Sequence, residues 1–192
     1  MDEIVLQGMA KWPNVPAAYG WLSLDRRGQW RLKGDVIRNP AIIAFIGRNY
    51  EHDDGGCWFF QNGPQRVYVE LDQAPLVFRW TADDPPSLVD HIGRSPVSVD
   101  AAFLDDAGNV FLRTERGPGI IDDRDLERLA SLIHGPGGHP LEDQDWEALL
   151  DGKAVFRLSE YTLRLGTHHV PVQPVAATRV PEILGFVPKP AP

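Results

Sequence analysis

Cys57-Trp-Phe-Phe-Gln-Asn-Gly-Pro-Gln-Arg-Val-Tyr-Val-Glu-Leu71 is the stretch that decides the fold. Its side chains alternate, with Trp58 and Phe60 on one face and Cys57, Phe59 and Gln61 on the other. Asn62-Gly63 is a strong signal for a tight hairpin turn. Val67, Val69 and Leu71 then form the inward face of a returning strand. Immediately upstream, Asn39 caps a helix and Pro40 suits its first turn. Ile42, Ile43, Ile46 and Tyr50 repeat on one face of that helix, and Gly55-Gly56 closes the region. Pro75 to Trp80 reads as one more strand. Further upstream, Tyr19 to Leu24 and Gln29 to Leu32 make a hairpin about Asp25-Arg-Arg-Gly28. Residues 1–16 end in Lys11-Trp-Pro-Asn-Val-Pro16. Two prolines in four positions favour an extended strap, with Trp12 packing it down.

The order recurs further along. Leu24-Asp25-Arg-Arg-Gly28-Gln-Trp30-Arg-Leu32 matches Leu104-Asp105-Asp-Ala-Gly108-Asn-Val110-Phe-Leu112 at a constant shift of 80 positions. A helix follows each: Pro40 to Asn49, and Asp122 to Ile133 with Leu126, Leu129, Ala130 and Ile133 inward. Arg116-Gly-Pro-Gly119 reads as a turn into that second helix. Val155 to Leu158 and Tyr161 to Leu165 then stand where the Trp58 hairpin stood, and Val170 to Val175 where the Pro75 strand stood. The expectation is an α+β protein of two similar ββαβββ modules, mainly antiparallel, each with a helix on one sheet face. The modules span 1–93 and 94–180. The second carries a helical insertion at 134–152, with Trp146, Leu149 and Leu150 inward. Residues 181–192 read as a proline-rich tail, extended or frayed.

Bulk properties narrow the function classes. The 192 residues carry a formal net charge of -8, with 43% hydrophobic and 24% charged residues, ordinary values for a globular chain. Both halves are acidic, with 9 Lys and Arg against 12 Asp and Glu up to Gly93 and 10 against 15 beyond it. Without a basic stripe, a nucleic-acid partner is disfavoured. A single cysteine, Cys57, rules out an internal disulfide and a cysteine-rich zinc site. No apolar run has the length of a membrane span, and Met-Asp-Glu-Ile lacks the start of a signal peptide. The reading is a cytoplasmic protein with neither nucleic acid nor membrane as partner.

Candidate chemistry is sparse. Arg48-Asn49-Tyr50-Glu51-His52-Asp53-Asp54 offers a base, carboxylates and a cation, or simply a solvated helix end. Gln61, Asn62, Gln65 and Arg66 flank the hairpin tip. Arg66 and Arg79 could clamp an anion, or pair with Glu70 on an ordinary strand surface. His52, His91, His134, His139, His168 and His169 match no metal spacing. His134-Gly-Pro-Gly-Gly-His-Pro140 lacks the ending of a phosphate loop. Cys57 reads as an inert strand cysteine. The candidate ligand-binding set is Arg48, Asn49, His52, Gln61, Arg66 and Arg79, with no catalytic residue, metal or cofactor assigned.

Lys11-Trp12-Pro13, Tyr19-Gly-Trp-Leu-Ser-Leu-Asp25, Asn49-Tyr50 and Trp58 to Val69 together resemble an uncharacterised family of small proteobacterial proteins. The likeness covers the first half well and the second loosely. The doubled α+β layout is also similar to a second proteobacterial family of unknown function, which implies a ligand-sensing or signalling role. Neither resemblance brings a catalytic residue.

The functional expectation is a non-enzymatic regulatory module. It would bind a small molecule or a protein partner at the junction of the two modules, where aromatic faces are covered. The alternative is a small hydrolase using His52 with Asp53 or Asp54 and Arg66 or Arg79. A homodimer would be a further way to cover the open sheet faces.

Overall fold

A computed structural model describes residues 1–83, 87–142, 145–147, 161–165 and 168–192. The chain divides into two compact units, Met1–Pro75 with Gly185–Pro192, and Leu76–Leu184. The boundary expected at residue 93 falls inside the second unit. The fold is α+β, with two mixed sheets and few helices.

The first unit runs α1 (Glu3–Lys11), β1 (Ala18–Leu24), β2 (Trp30–Leu32), β3 (Asp35–Val36), α2 (Pro40–Arg48), β4 (Tyr50–His52), β5 (Trp58–Asn62) and β6 (Gln65–Leu71). Its sheet has the order β3-β2-β1-β6-β5-β4, and only β1 and β6 pair in parallel. Leu22, Leu24, Trp30, Ile46, Tyr50, Trp58, Phe60 and Val69 are buried in it.

The second unit runs β7 (Leu76–Trp80), β8 (Leu88–Asp90), β9 (Val99–Asp105), β10 (Val110–Thr114), β11 (Gly117–Ile121), α3 (Leu126–Ala130), β12 (Ile133–His134), β13 (Thr162–Leu165), β14 (His168–Val175) and α4 (Val180–Leu184). Its sheet order is β12-β13-β14-β9-β10-β11-β7-β8. With β7 and β8 set aside, the remaining six strands have the order and the pairing directions of the first sheet. The registers agree too. Leu22 faces Leu32 and Leu24 faces Trp30 in the first sheet. Ala102 faces Leu112 and Leu104 faces Val110 in the second, 80 positions on.

Several details differ from the sequence reading. Each set has a third strand before its helix, β3 and β11, so the pattern is βββαβββ. Gly117–Ile121 is therefore a strand, not a turn into a helix. The Pro75 strand belongs to the second sheet, paired in parallel with β11. The strand that matches β14 is β6. The second helix is one short stretch, Leu126–Ala130, entered through a 3-10 turn at Asp123–Asp125. Residues 1–16 are not a strap: Glu3–Lys11 is helical, with Glu3 in the first turn. The prolines at 13 and 16 stop that helix rather than prevent it. Trp12, expected to pack the segment down, is half exposed. The hairpin turn centres on Gly63-Pro64, because Asn62 still pairs with Gln65. Gly63 supplies the positive φ of 57° there, and Pro64 has no N–H for a ladder to lose. The expected strand at 155–158 and Leu149 and Leu150 lie outside the described residues.

Among the described residues, one kind of turn occurs at four places. Asp25, Asp53, Asp90 and Asp105 each open a segment with glycine three positions on. In each, the amide of the aspartate donates to the carbonyl four residues on, and the glycine amide donates to the aspartate carbonyl. One carboxylate oxygen of each aspartate accepts two further amides, at 2.7 to 3.1 Å. The glycines Gly28, Gly56, Gly93 and Gly108 all have φ between 76° and 82°, the left-handed bulge position that ends a three-residue hairpin loop.

The expected frayed tail is instead docked on the first unit. Val187 donates its amide to the Gly56 carbonyl at 3.0 Å, and the Leu71 amide donates to the Pro188 carbonyl at 2.8 Å. Phe186 is buried. A Cβ on Gly56 would stand 2.5 Å from the Gly185 carbonyl oxygen. Gly56→Ala should therefore cost about 3 kcal/mol, combining positive-φ strain with a backbone clash. It should also expose residues 185–192 to protease. Gly34→Ala, at φ 91° with nothing nearby, should cost only about 1 kcal/mol. Chemical denaturation and limited proteolysis of the two variants check this. Equal losses would refute the docking argument.

Candidate functional site

A cavity of about 440 Å³ lies between α2 and one face of the six-stranded sheet. Trp21, Leu22 and Ala18 reach it from β1, and Leu32 from β2. Phe60 and Val67 reach it from the central hairpin, and Ile42, Phe45 and Ile46 from α2. The parallel β1–β6 register shifts between Ala18 and Leu22, and this irregularity lets Trp21 share a face with Leu22. Trp21, Leu32 and Ile42 are each about half exposed and form an apolar rim. Asn62 and Gln65 are the polar side chains in the lining. Lys33, beside the rim, holds its Nζ 3.9 Å from the Trp21 ring centroid. Such a space suits an apolar or amphipathic small molecule. A smaller cavity, of about 210 Å³, lies between α3 and β9–β10 in the second unit.

The residues singled out from sequence do not converge as a group. Asn49 is fully buried and acts as a brace. Its side chain accepts the Asp2 amide at 2.7 Å and donates to the Phe45 carbonyl, and its own carbonyl accepts the Gln61 amide. It thus ties α1, α2 and β5 together. Arg48 makes a two-pronged bond to the Asp2 carboxylate. That bond holds the Asp2 carboxyl below its usual range. His52 is exposed, tilted against the Trp58 ring, with Nδ1 at the Asp53 carbonyl oxygen rather than its carboxylate. The Asp53 carboxylate is occupied by its turn and by the Tyr68 hydroxyl. Burial first, and the Asp53 charge second, push the Cys57 thiol up, away from a reactive thiolate.

Gln61 and Arg66 are the two that meet. They are cross-strand neighbours and both line a cavity of about 350 Å³ on the sheet face covered by α1. Arg66 lays its guanidinium 4.5 Å from the Phe59 ring centroid. Arg79 lies on β7 in the second unit, where its charge acts on His91. Among the described residues, no group of three or more His, Cys, Asp or Glu is placed to hold a metal ion. No helix there is long and apolar enough to cross a membrane. The surplus of aromatic residues, Trp21 among them, is consistent with an apolar pocket, but its place under α2 was not legible in the sequence. Its signal was Trp21, Leu32 and Ile42, three large apolar residues left half exposed on adjoining elements.

The model of family DUF2944, described as a protein of unknown function (DUF2946), matches residues 1–191. The chain belongs to this family. The crystal structure of a DUF1285 family protein from Silicibacter pomeroyi DSS-3 is similar, with a TM-score of 0.54 at 17% identity, over 83% of this chain and 84% of that one. A DUF1285 family protein from Shewanella baltica OS155 gives a TM-score of 0.43 at 23% identity, over 56% of this chain and 88% of that one. The first likeness concerns the fold alone. No curated protein matches the chain.

His91 provides a test of the electrostatics. Its Nδ1 accepts the Val77 amide. Burial first, and the Arg79 charge second, lower its pKa from 6.5 to about 3. Between those values the unfolded chain takes up a proton that the native ring refuses, so stability falls as the pH drops through that window. His91→Asn, which keeps an acceptor for Val77, should flatten the stability profile between pH 6.5 and about 5. Urea titrations across that range check this. Parallel profiles for the variant and the parent protein would contradict it.

Proposed function

We propose that the protein is a non-enzymatic cytoplasmic binding module of bacterial, proteobacterial origin, built by duplication of a βββαβββ unit. It takes an apolar or amphipathic small molecule in the cavity between α2 and the six-stranded sheet. The observation that carries this reading is an open apolar cavity of about 440 Å³ with Trp21, Leu32 and Ile42 held half exposed at its mouth. Leaving three large apolar side chains in water is unfavourable by about 25 cal/mol for each Å² of apolar surface. A ligand that covers them recovers that energy. The matching order and register of the two sets of six strands support duplication. A single cysteine supports a reducing compartment.

The geometry at His52 does not favour the hydrolase alternative. The imidazole of His52 faces the Asp53 backbone carbonyl, and the Asp53 carboxylate is already engaged by its turn and Tyr68.

An environment-sensitive apolar fluorophore should bind saturably and be displaced by medium-chain carboxylic acids. Ala18→Trp and Ile42→Trp, which place a ring in the cavity from its rim, should each weaken binding about tenfold, equivalent to about 1.4 kcal/mol. Fluorescence titration reads the loss. Binding that is not saturable, or that both variants leave unchanged, would overturn the proposal.

A further inference from the structure

Side chains on β5 and β6 alternate between two sheet faces. Phe60, Asn62, Gln65 and Val67 line the cavity under α2. Gln61 and Arg66 line the separate cavity of about 350 Å³ under α1, with Met9, Trp12, Pro13 and Pro64. Gly8 lets α1 come close here, since a Cβ on it would meet Pro64 Cδ at 3.3 Å.

Gln61 is 1% exposed. Its Nε2 donates to the Gly63 carbonyl at 2.8 Å, which fixes the orientation of the amide. Its Oε1 is buried with no hydrogen-bond partner. A buried acceptor left unpaired is costly, and native proteins normally satisfy it. Arg66, directly opposite on the next strand, has a guanidinium at the cavity wall. Lys11 holds its Nζ 4.5 Å from the ring centroid of Trp12, a residue of the lining. Arg66 also hydrogen-bonds the Tyr68 hydroxyl, which donates in turn to the Asp53 carboxylate. A cation in the lining, with another over a lining ring, is a local reversal in a chain of net charge -8.

We infer that this cavity is a second ligand site, one that recognises an apolar α-amino-acid unit. The carboxylate pairs with Arg66, the adjacent N–H donates to Gln61 Oε1, and the side chain lies against Met9 and Pro13. Directly opposed strand residues have Cβ atoms about 5 Å apart, so a cation and an acceptor carried on them suit a carboxylate and an N–H on the same carbon. A free amino acid and the last residue of a peptide share this chemistry. The inference stands apart from the cavity under α2, because the lining side chains differ.

Calorimetric titration of the full chain tests it with L-phenylalanine, N-acetyl-L-phenylalanine, 3-phenylpropionate (no N–H) and L-phenylalaninamide (no carboxylate). At least one of the first two should bind at millimolar concentration or better. The last two should bind at least tenfold more weakly. Tighter binding of the acetylated form assigns the site to a peptide terminus, and tighter binding of the free form to an amino acid. Arg66→Gln, at an exposed position, should remove binding, while Ala18→Trp should leave it unchanged. Gln61→Leu should abolish discrimination against 3-phenylpropionate. Circular dichroism of that variant checks that it is folded, and Arg66→Gln decides alone if it is not. No heat with either acid, equal affinity across all four compounds, or binding that survives Arg66→Gln would each overturn the inference.

Discussion

A carboxylate that closes a five-residue turn is the constraint on which both sheets rest. Asp25, Asp53, Asp90 and Asp105 each use one oxygen to gather two backbone amides. The other oxygen goes elsewhere. It meets Arg31 in the first turn, the Tyr68 hydroxyl in the second, Arg116 in the third and the Asn109 side chain in the fourth. Hydrogen bonds to a charged acceptor contribute about 1.5–3 kcal/mol each, but their larger effect is on register. A slip of one residue would turn every apolar side chain of a strand to the wrong face. Leu24 meets Trp30, and Leu104 meets Val110, because the turn between them admits no other pairing.

With register fixed, the central hairpin of the first unit can serve two faces at once. Its even-numbered β5 residues and odd-numbered β6 residues look toward α2, and Gln61 and Arg66 look toward α1. Asn49 then holds both helices to that hairpin through bonds to Asp2, Phe45 and Gln61. The polar cluster that suggested chemistry at residues 48–54 is therefore mostly framework. It positions the walls of the cavities and does not itself line them.

The parts of the fold that are legible in sequence are those set by local chemistry. Asn39-Pro40 starts a helix, Asp-x-x-Gly closes a hairpin, and alternation marks the strands beside it. What could not be read depends on distant partners. The helix at Glu3–Lys11 gains its brace from Arg48 and Asn49, more than forty positions away. The strand at Leu76–Trp80 looks like a neighbour of β6, but its ladder partners are Gly119–Ile121 and Leu88–Asp90. Gly117–Ile121 itself carries a glycine-proline signature that normally marks a turn. Its Gly119 is required by packing, since a Cβ there would stand 2.4 Å from the Phe78 ring. Gln61 and Arg66 were legible as polar residues beside a turn. The cavity they share was not, because one wall of it is a helix read as an extended strap.

The way Gly56 receives residues 185–192 bears on how the protein is made. A ribosome releases the chain from its amino end, and domains often fold as they emerge. Here the opening seventy-five residues lack their last piece until all of the second unit has been synthesised. The first unit must wait without its docked tail while more than a hundred further residues appear. A translation product cut short anywhere in that interval would carry an uncovered Gly56 notch, a mark by which cellular quality control could tell it from the finished molecule.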